Sequence, residues 1–167
     1  MPDLVQIGYL ADHTAHVPEM RAAFIAAWPE QYGSAGRGDA AADIHAFCRS
    51  DRLPIGLVAV AAGRLWGTVT LRATTESHAH LGPWLTGLLV VPERRRQGIG
   101  TRLIRAAEKL AESLGHNTLY ARSASAEPLF HGLGWTAVDS VASGHQLLTV
   151  FQRQVATQPS GSRASVP

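Results

Sequence analysis

The chain has 167 residues, 46% hydrophobic and 17% charged, with a formal net charge of +2 and one cysteine. That is enough chain for one domain with a substantial core. It excludes an internal disulfide and a cysteine-rich zinc site, and no metal site is expected. The chain also lacks the ~18 consecutive apolar residues of a membrane span. The segment MPDLVQIGYL has no basic stretch followed by a long apolar one, so a cytoplasmic location is expected. Residues 1–82 carry a net −2 and residues 83–167 a net +4. Five of the basic residues, Arg94, Arg95, Arg96, Arg102 and Arg105, lie close together in sequence. A nucleic-acid face spreads its charge over several elements, so neither a nucleic-acid nor a membrane partner is expected.

Val5 to Leu10 reads as a first strand. Pro18 to Trp28 has the helical spacing of Met20, Phe24, Ala27 and Trp28, with Pro18 suited to a first turn. Ser34 to Gly38 reads as a loop. Asp39 is placed to cap a second helix, Ala40 to Arg49, with Ile44, Phe47 and Cys48 on its apolar side, where burial of the thiol is expected. Ile55 to Ala61 and Arg64 to Ala73 read as strands around Ala62-Gly63, with a bulge at Gly67.

Thr74 to Pro83 is polar and reads as a loop. Trp84 to Val91 is the most apolar strand candidate. From Gly98 to Leu114 the pattern is a strongly amphipathic helix, with Leu103, Ala107, Leu110 and Leu114 in one stripe and Gly115 as its left-handed stop. A short strand, Thr118 to Arg122, precedes a short helix, Ala126 to Leu133, closed by Gly134. Trp135 to Val141 and Gln146 to Arg153 form a hairpin around Ser143-Gly144. Residues 1–155 are expected to form one domain, and 156–167 a disordered polar tail. The order β-α-α-β-β-β-α-β-α-β-β predicts a single-domain α/β fold. Its central sheet should be mixed, mostly antiparallel, with about seven strands flanked by about four helices.

The stretch VVPERRRQGIGTRL joins the apolar strand to the amphipathic helix. A helix N-terminus presents unpaired N–H groups and partial positive charge. Glycines at positions 98 and 100 let an anion approach that backbone, and arginines add charge-assisted donors. The stretch suits a pyrophosphate. It is not a P-loop, because no lysine follows Gly100. Nor is it the dinucleotide fingerprint, because Leu103 stands where the third glycine or alanine belongs.

The pattern that fits is R-x-x-G-x-G, as Arg95-Arg96-Gln97-Gly98-Ile99-Gly100, after a strand ending in Val91-Pro92. With Leu88-Leu89-Val90 before it and Ala126-Glu-Pro-Leu-Phe130-His-Gly-Leu-Gly134-Trp135 after it, the chain resembles the GNAT superfamily of acyl-CoA-dependent N-acetyltransferases. The resemblance runs from about Trp84 to Phe151; the N-terminal half agrees in element order only.

The resemblance implies acetyl-CoA as co-substrate and direct attack by a primary amine, without an acyl-enzyme. Backbone groups of Arg95, Arg96, Gln97, Gly98, Ile99, Gly100 and Thr101 would hold the pyrophosphate. Leu88, Leu89 and Val90 would pair with the pantetheine, the Leu89 amide polarising the thioester carbonyl. Ser123 stands where the family often has Asn. Phe130 replaces a Tyr that can protonate the leaving thiolate, which leaves a non-catalytic acyl-CoA-binding module as an alternative. Glu76, His78 and His80 are the candidate general bases. Trp28, Tyr32 and Trp84 are candidate linings of an acceptor pocket. The acidic N-terminal half favours a small cationic acceptor, such as an aminoglycoside or aminocyclitol antibiotic or a polyamine. Protein N-termini and lysines are the alternative, and a homodimer through the C-terminal strands fits the family habit.

Overall fold

A computed structural model describes residues 3–155. Its seven-stranded sheet has strand order β1-β2-β3-β4-β5-β7-β6. The strands are β1 (Gln6–Tyr9), β2 (Ile55–Ala61), β3 (Arg64–Arg72), β4 (Trp84–Val90), β5 (Thr118–Ser123), β6 (Thr136–Ser143) and β7 (Gln146–Gln154). The helices are α1 (Val17–Ala27), α2 (Pro29–Tyr32), α3 (Ala40–Phe47), α4 (Ile99–Ser113) and α5 (Glu127–Gly132). All strand pairs are antiparallel except β4 with β5. The single-domain mixed sheet expected from sequence is therefore the one observed. The tail expected beyond residue 155 lies outside the described residues.

The one-turn helix α2 was not anticipated. Trp28 leaves helical geometry at φ −130° and ψ 65°, ending α1, and Pro29 opens a new turn. Proline is suited to that place, since the first helical N–H needs no intrahelical acceptor. Asp39 caps α3 as expected, its carboxylate accepting from the Ala42 N–H at 3.0 Å, a contact of about 1 kcal/mol.

Helix α4 buries Ile99, Leu103, Ile104, Ala107, Leu110 and Ala111 against one face of the sheet. Each large aliphatic among them contributes about 1.5–3 kcal/mol relative to exposure. The opposite face is covered by α1 and α3 through Met20, Phe24, Ile44 and Phe47. The bulge expected at Gly67 falls one residue earlier. Ala59 pairs with Gly67 and Val60 with Leu65, which leaves Trp66 as the extra residue.

A second bulge, not foreseen, lies in β4. Thr70 pairs with Thr86 and Thr68 with Leu89, so β4 has an additional residue between these pairs. Gly87 lies there at φ +57°, a conformation that costs a side-chain-bearing residue ~1–2 kcal/mol.

Candidate active site

Strands β4 and β5 pair only at Trp84–Tyr120 and Leu85–Ala121. Beyond these rows β4 follows β3 to Val90, while β5 follows β7 to Ser123. The two strands therefore part, leaving the C-terminal half of β4 with an open edge. Along a strand, successive peptide groups alternate between its two edges. The Val91 N–H donates to the Trp66 carbonyl of β3 at 3.0 Å, and the Val90 carbonyl faces away, accepting from Arg95 Nε at 3.0 Å. The same alternation turns the Leu89 N–H toward Thr68 and sets the amide of Leu88 on the open edge. Leu89 is thus not the free amide expected from sequence; Leu88, next to the bulge, is.

The open edge leads into the start of α4. Gly98 is the N-cap residue at φ +80°, with no side-chain capping bond. The first helical bond runs from the Arg102 N–H to the Gly98 carbonyl at 3.1 Å, so the amides of Ile99, Gly100 and Thr101 precede the hydrogen-bonded ladder. Arg96 also has positive φ, +60°. Left-handed residues at this spacing turn neighbouring N–H groups toward one concavity, a cradle for anions. Apart from Gly98 and its two neighbours in the chain, nothing lies within 4 Å of where a Gly98 Cβ would stand. That space and those donors fit a pyrophosphate.

The arginines around this turn have separate duties. Arg94 lies over the Trp66 ring, 4.0 Å from its centroid. Arg95 rests on the Val90 carbonyl, where an added strand would pair. Arg102 reaches back to the Val5 carbonyl at 2.9 Å, and Arg105 pairs with Glu108 at 2.8 Å.

The acetyltransferase (GNAT) family model matches residues 17–135. The chain belongs to that family. Comparison with curated protein sequences finds no match. Among solved structures, the GNAT fold seen here is similar to an aminoglycoside 6'-N-acetyltransferase complexed with coenzyme A. That pair has a TM-score of 0.76 and 18% identity over 92% of this chain and 99% of the other. The Enterococcus faecium aminoglycoside 6'-N-acetyltransferase gives 0.74 and 19%, over 92% of this chain and 99% of that one. N-acetylglutamate synthase from Neisseria gonorrhoeae, complexed with coenzyme A and L-arginine, gives 0.63 and 18%, over 90% of this chain and 33% of that one. One fold with different acceptors in these enzymes leaves the acceptor to local chemistry.

In this GNAT chain the other candidate residues divide clearly. Ser123 caps the approach to α5, its Oγ accepting from the Ala126 N–H at 2.8 Å; its own proton is left to donate. Phe130 is 2% exposed. It stacks on Phe151 at 5.2 Å and meets Trp135 edge-on at 5.1 Å, so its ring is enclosed in the core. Trp84 is wholly buried, and its indole N–H donates to the Leu81 carbonyl at 2.9 Å. It forms floor, not the pocket lining expected. Trp28 and Tyr32 are half-buried around Phe24. The Tyr32 hydroxyl donates to Asp43 Oδ2 at 2.8 Å. Burial, then that carboxylate, pushes its phenol up to about 12, so Tyr32 stays neutral.

Glu76 and His78 share a 3₁₀ turn, Glu76–His78, before β4. Glu76 and His80 are exposed, whereas His78 is buried. His78 Nε2 lies 3.1 Å from Asp139 Oδ2 and its Nδ1 3.0 Å from Ser77 Oγ. Both ring nitrogens are engaged, which removes His78 from direct contact with an incoming amine. Cys48 is half-buried against the core under α1 and α3, with its Sγ donating to the Ile44 carbonyl at 3.4 Å. Burial pushes its thiol up, away from the thiolate a nucleophile needs. No helix among the described residues is long and apolar enough to cross a membrane. The described residues hold no group of three metal-ligating side chains.

Proposed function

We propose that this acetyltransferase moves the acetyl group of acetyl-CoA to a primary amine of a small molecule by direct attack. The observation that carries the reading is the open edge at Leu88–Val90 running into the unpaired amides at the start of α4. The edge would take an extended pantetheine arm as an added strand. The amides from Arg95 to Thr101 would take its pyrophosphate, with Ser123 as a further donor. Solved structures of this fold with coenzyme A bound support the assignment.

Acetyl-CoA supplies the acyl group and a thiol leaving group. The Leu88 N–H would donate to the thioester oxygen as charge builds there in the transition state. Backbone pairing would hold the carbonyl in line for the amine nitrogen. The proton lost by nitrogen passes to water or to Glu76 or His80, the exposed members of the expected base set. A thiolate of pKa near 8.5 needs little acid assistance at neutral pH, which suits a phenylalanine at position 130.

Four of the five clustered arginines, Arg94, Arg95, Arg102 and Arg105, hold intramolecular partners, which favours a local anion site over a nucleic-acid face. Leu147 and Val138 are exposed by 67% and 47% on the C-terminal hairpin, which supports a homodimer contact there. The cationic acceptor, an aminoglycoside or polyamine, rested on the net charge of residues 1–82. In the fold those carboxylates are dispersed. Asp39 caps α3, Glu19 serves His16 and Arg64, and Asp43 serves Tyr32 and Arg72. The net charge of that half is therefore not the charge of the acceptor face.

Coenzyme A at a hundredfold excess over Kd should raise stability by about 2.7 kcal/mol. Thiol release from acetyl-CoA, followed over kanamycin, spermidine, amino acids and a peptide N-terminus, tests the transfer. No rise in Tm with coenzyme A and no amine-dependent thiol release would overturn the reading.

A further inference from the structure

On the sheet face opposite α4, the rows next to the open edge carry an uncommitted cation. Leu85 of β4 pairs with Ala121 of β5, so Thr86 and Arg122 follow side by side where the strands begin to part. Arg122 and Asp139 both register against Val150 of β7, which sets their side chains on one face. Helices α1 and α3 cover β2 and β3 on this face, and the 74–83 segment reaches across β4 toward β6.

Arg122 is exposed, and its Nη1 donates to Ser77 Oγ at 2.8 Å. None of the ion pairs among the described residues includes it. Its neighbour Arg72, by contrast, already has Asp43 at 3.3 Å and the Phe47 ring at 4.8 Å. The guanidinium is also held in place from behind. With a proton on Nε2, His78 donates to Asp139 and accepts the Ser77 hydroxyl at Nδ1, leaving Ser77 Oγ to receive Arg122. Partial desolvation pulls the Arg122 pKa down. Glu76 opposes that shift and Arg72 adds to it; the attraction of an anion placed here would offset both unfavourable contributions.

We infer that Arg122 is the anion anchor of the acceptor site and that the acceptor is a small amine carrying a carboxylate. The inference rests on the acetyltransferase reading and narrows its acceptor. Leu88 lies two residues beyond Thr86 across the bulge at Gly87, so at most about 7 Å along the strand. An amine nitrogen poised at the Leu88 amide thus places a carboxylate a few bonds away within reach of the guanidinium. A planar guanidinium binds a carboxylate through paired N–H donors. A polyamine would meet the same group as a like charge.

The test uses matched pairs, β-alanine against β-alaninamide and 4-aminobutyrate against 4-aminobutyramide, with spermidine and kanamycin alongside. Thiol release from acetyl-CoA gives kcat and KM, and thermal shift on the coenzyme A complex gives binding. The carboxylates are expected to exceed their amides at least ~10-fold in kcat/KM, mostly through KM. Arg122→Gln should lose ~10–100-fold on the carboxylates and equalise each pair, while Arg122→Lys restores part of the preference. Both variants should keep the wild-type Tm rise with coenzyme A. Equal values within the pairs, a preference for spermidine or kanamycin, or no binding by any carboxylate overturns the anchor while the coenzyme A shift still stands. Absence of that shift in the wild type overturns the acetyltransferase reading itself, and the anchor with it.

Discussion

His78 Nε2 lies 3.1 Å from Oδ2 of Asp139, across 61 positions of sequence. The contact ties the segment before β4 to β6 and spans the rows that contain Trp84, Tyr120 and Arg122. The hydrogen bond from His78 and that from the Ser140 N–H hold the Asp139 carboxyl below its ordinary range. A carboxylate with a lowered folded pKa stabilises the fold above its unfolded pKa. That contribution is lost as pH falls through the folded value.

Asp139→Asn should therefore have a lower Tm than wild type at neutral pH. The gap should begin to shrink as pH falls below about 4, where the unfolded carboxylate takes up its proton, and close as pH falls through the lower folded value. Tm measured from pH 3 to pH 8 checks this. A gap that is constant across that range would show that the Asp139 charge contributes nothing.

His78→Ala should cost ~0.5–3 kcal/mol of stability, since a buried ring with two hydrogen bonds is removed. The shape of its kcat/KM profile against pH should match wild type, because both ring nitrogens are already engaged. Glu76→Gln and His80→Ala, measured in parallel, report on the two exposed candidates. An activity loss in His78→Ala confined to neutral pH and recovered at high pH would restore His78 as the base.

Gly87→Ala addresses the bulge. A Cβ there would stand 2.9 Å from Thr70 Oγ1 and 3.2 Å from Phe24 Cζ, at φ +57°. Strain alone costs roughly 1–2 kcal/mol. Relief of that strain would shift Leu88, whose amide is the proposed donor to the thioester oxygen. A fall in kcat of ~10²-fold is expected, the scale of a lost oxyanion donor. The Tm rise with coenzyme A should persist. Unchanged kcat would separate the bulge from catalysis.

Gly100 and Gly98 should respond differently. A Cβ at Gly100 meets Leu129 Cδ2 at an ordinary 3.5 Å, so the protein itself accommodates it. Gly100→Val should fold near wild-type stability, its branch obstructing the anion cradle, with the Tm rise from coenzyme A lost. Gly98→Ala places a side chain at φ +80° and should lose ~1–2 kcal/mol even without ligand. Wild-type coenzyme A affinity in Gly100→Val would show that the phosphates bind elsewhere.

Local pattern carried most of the elements and half of the site. The 3.6-residue stripe of α4, the Asp39 cap and the left-handed stop at Gly115 are decided by residues a few positions apart, so they read directly from sequence. The R-x-x-G-x-G run is of the same kind: strand, glycines and helix start are contiguous, and their anion-binding chemistry follows from the backbone alone. The tertiary structure decided the rest, because strand register and separation depend on contacts between distant residues. It turned the free amide from Leu89 to Leu88 through a bulge set by the pairing of β3 with β4. It put Trp84 beneath the segment before β4, against His78 and Tyr120, and Phe130 of α5 between Trp135 and Phe151. Net charge along the chain could not show that Asp43 would be spent on Arg72 while Arg122 stayed without a carboxylate partner among the described residues. That difference arises only when β3, β5 and the segment before β4 meet on one face, and with Arg122 as the proposed anchor it would set the charge an acceptor encounters.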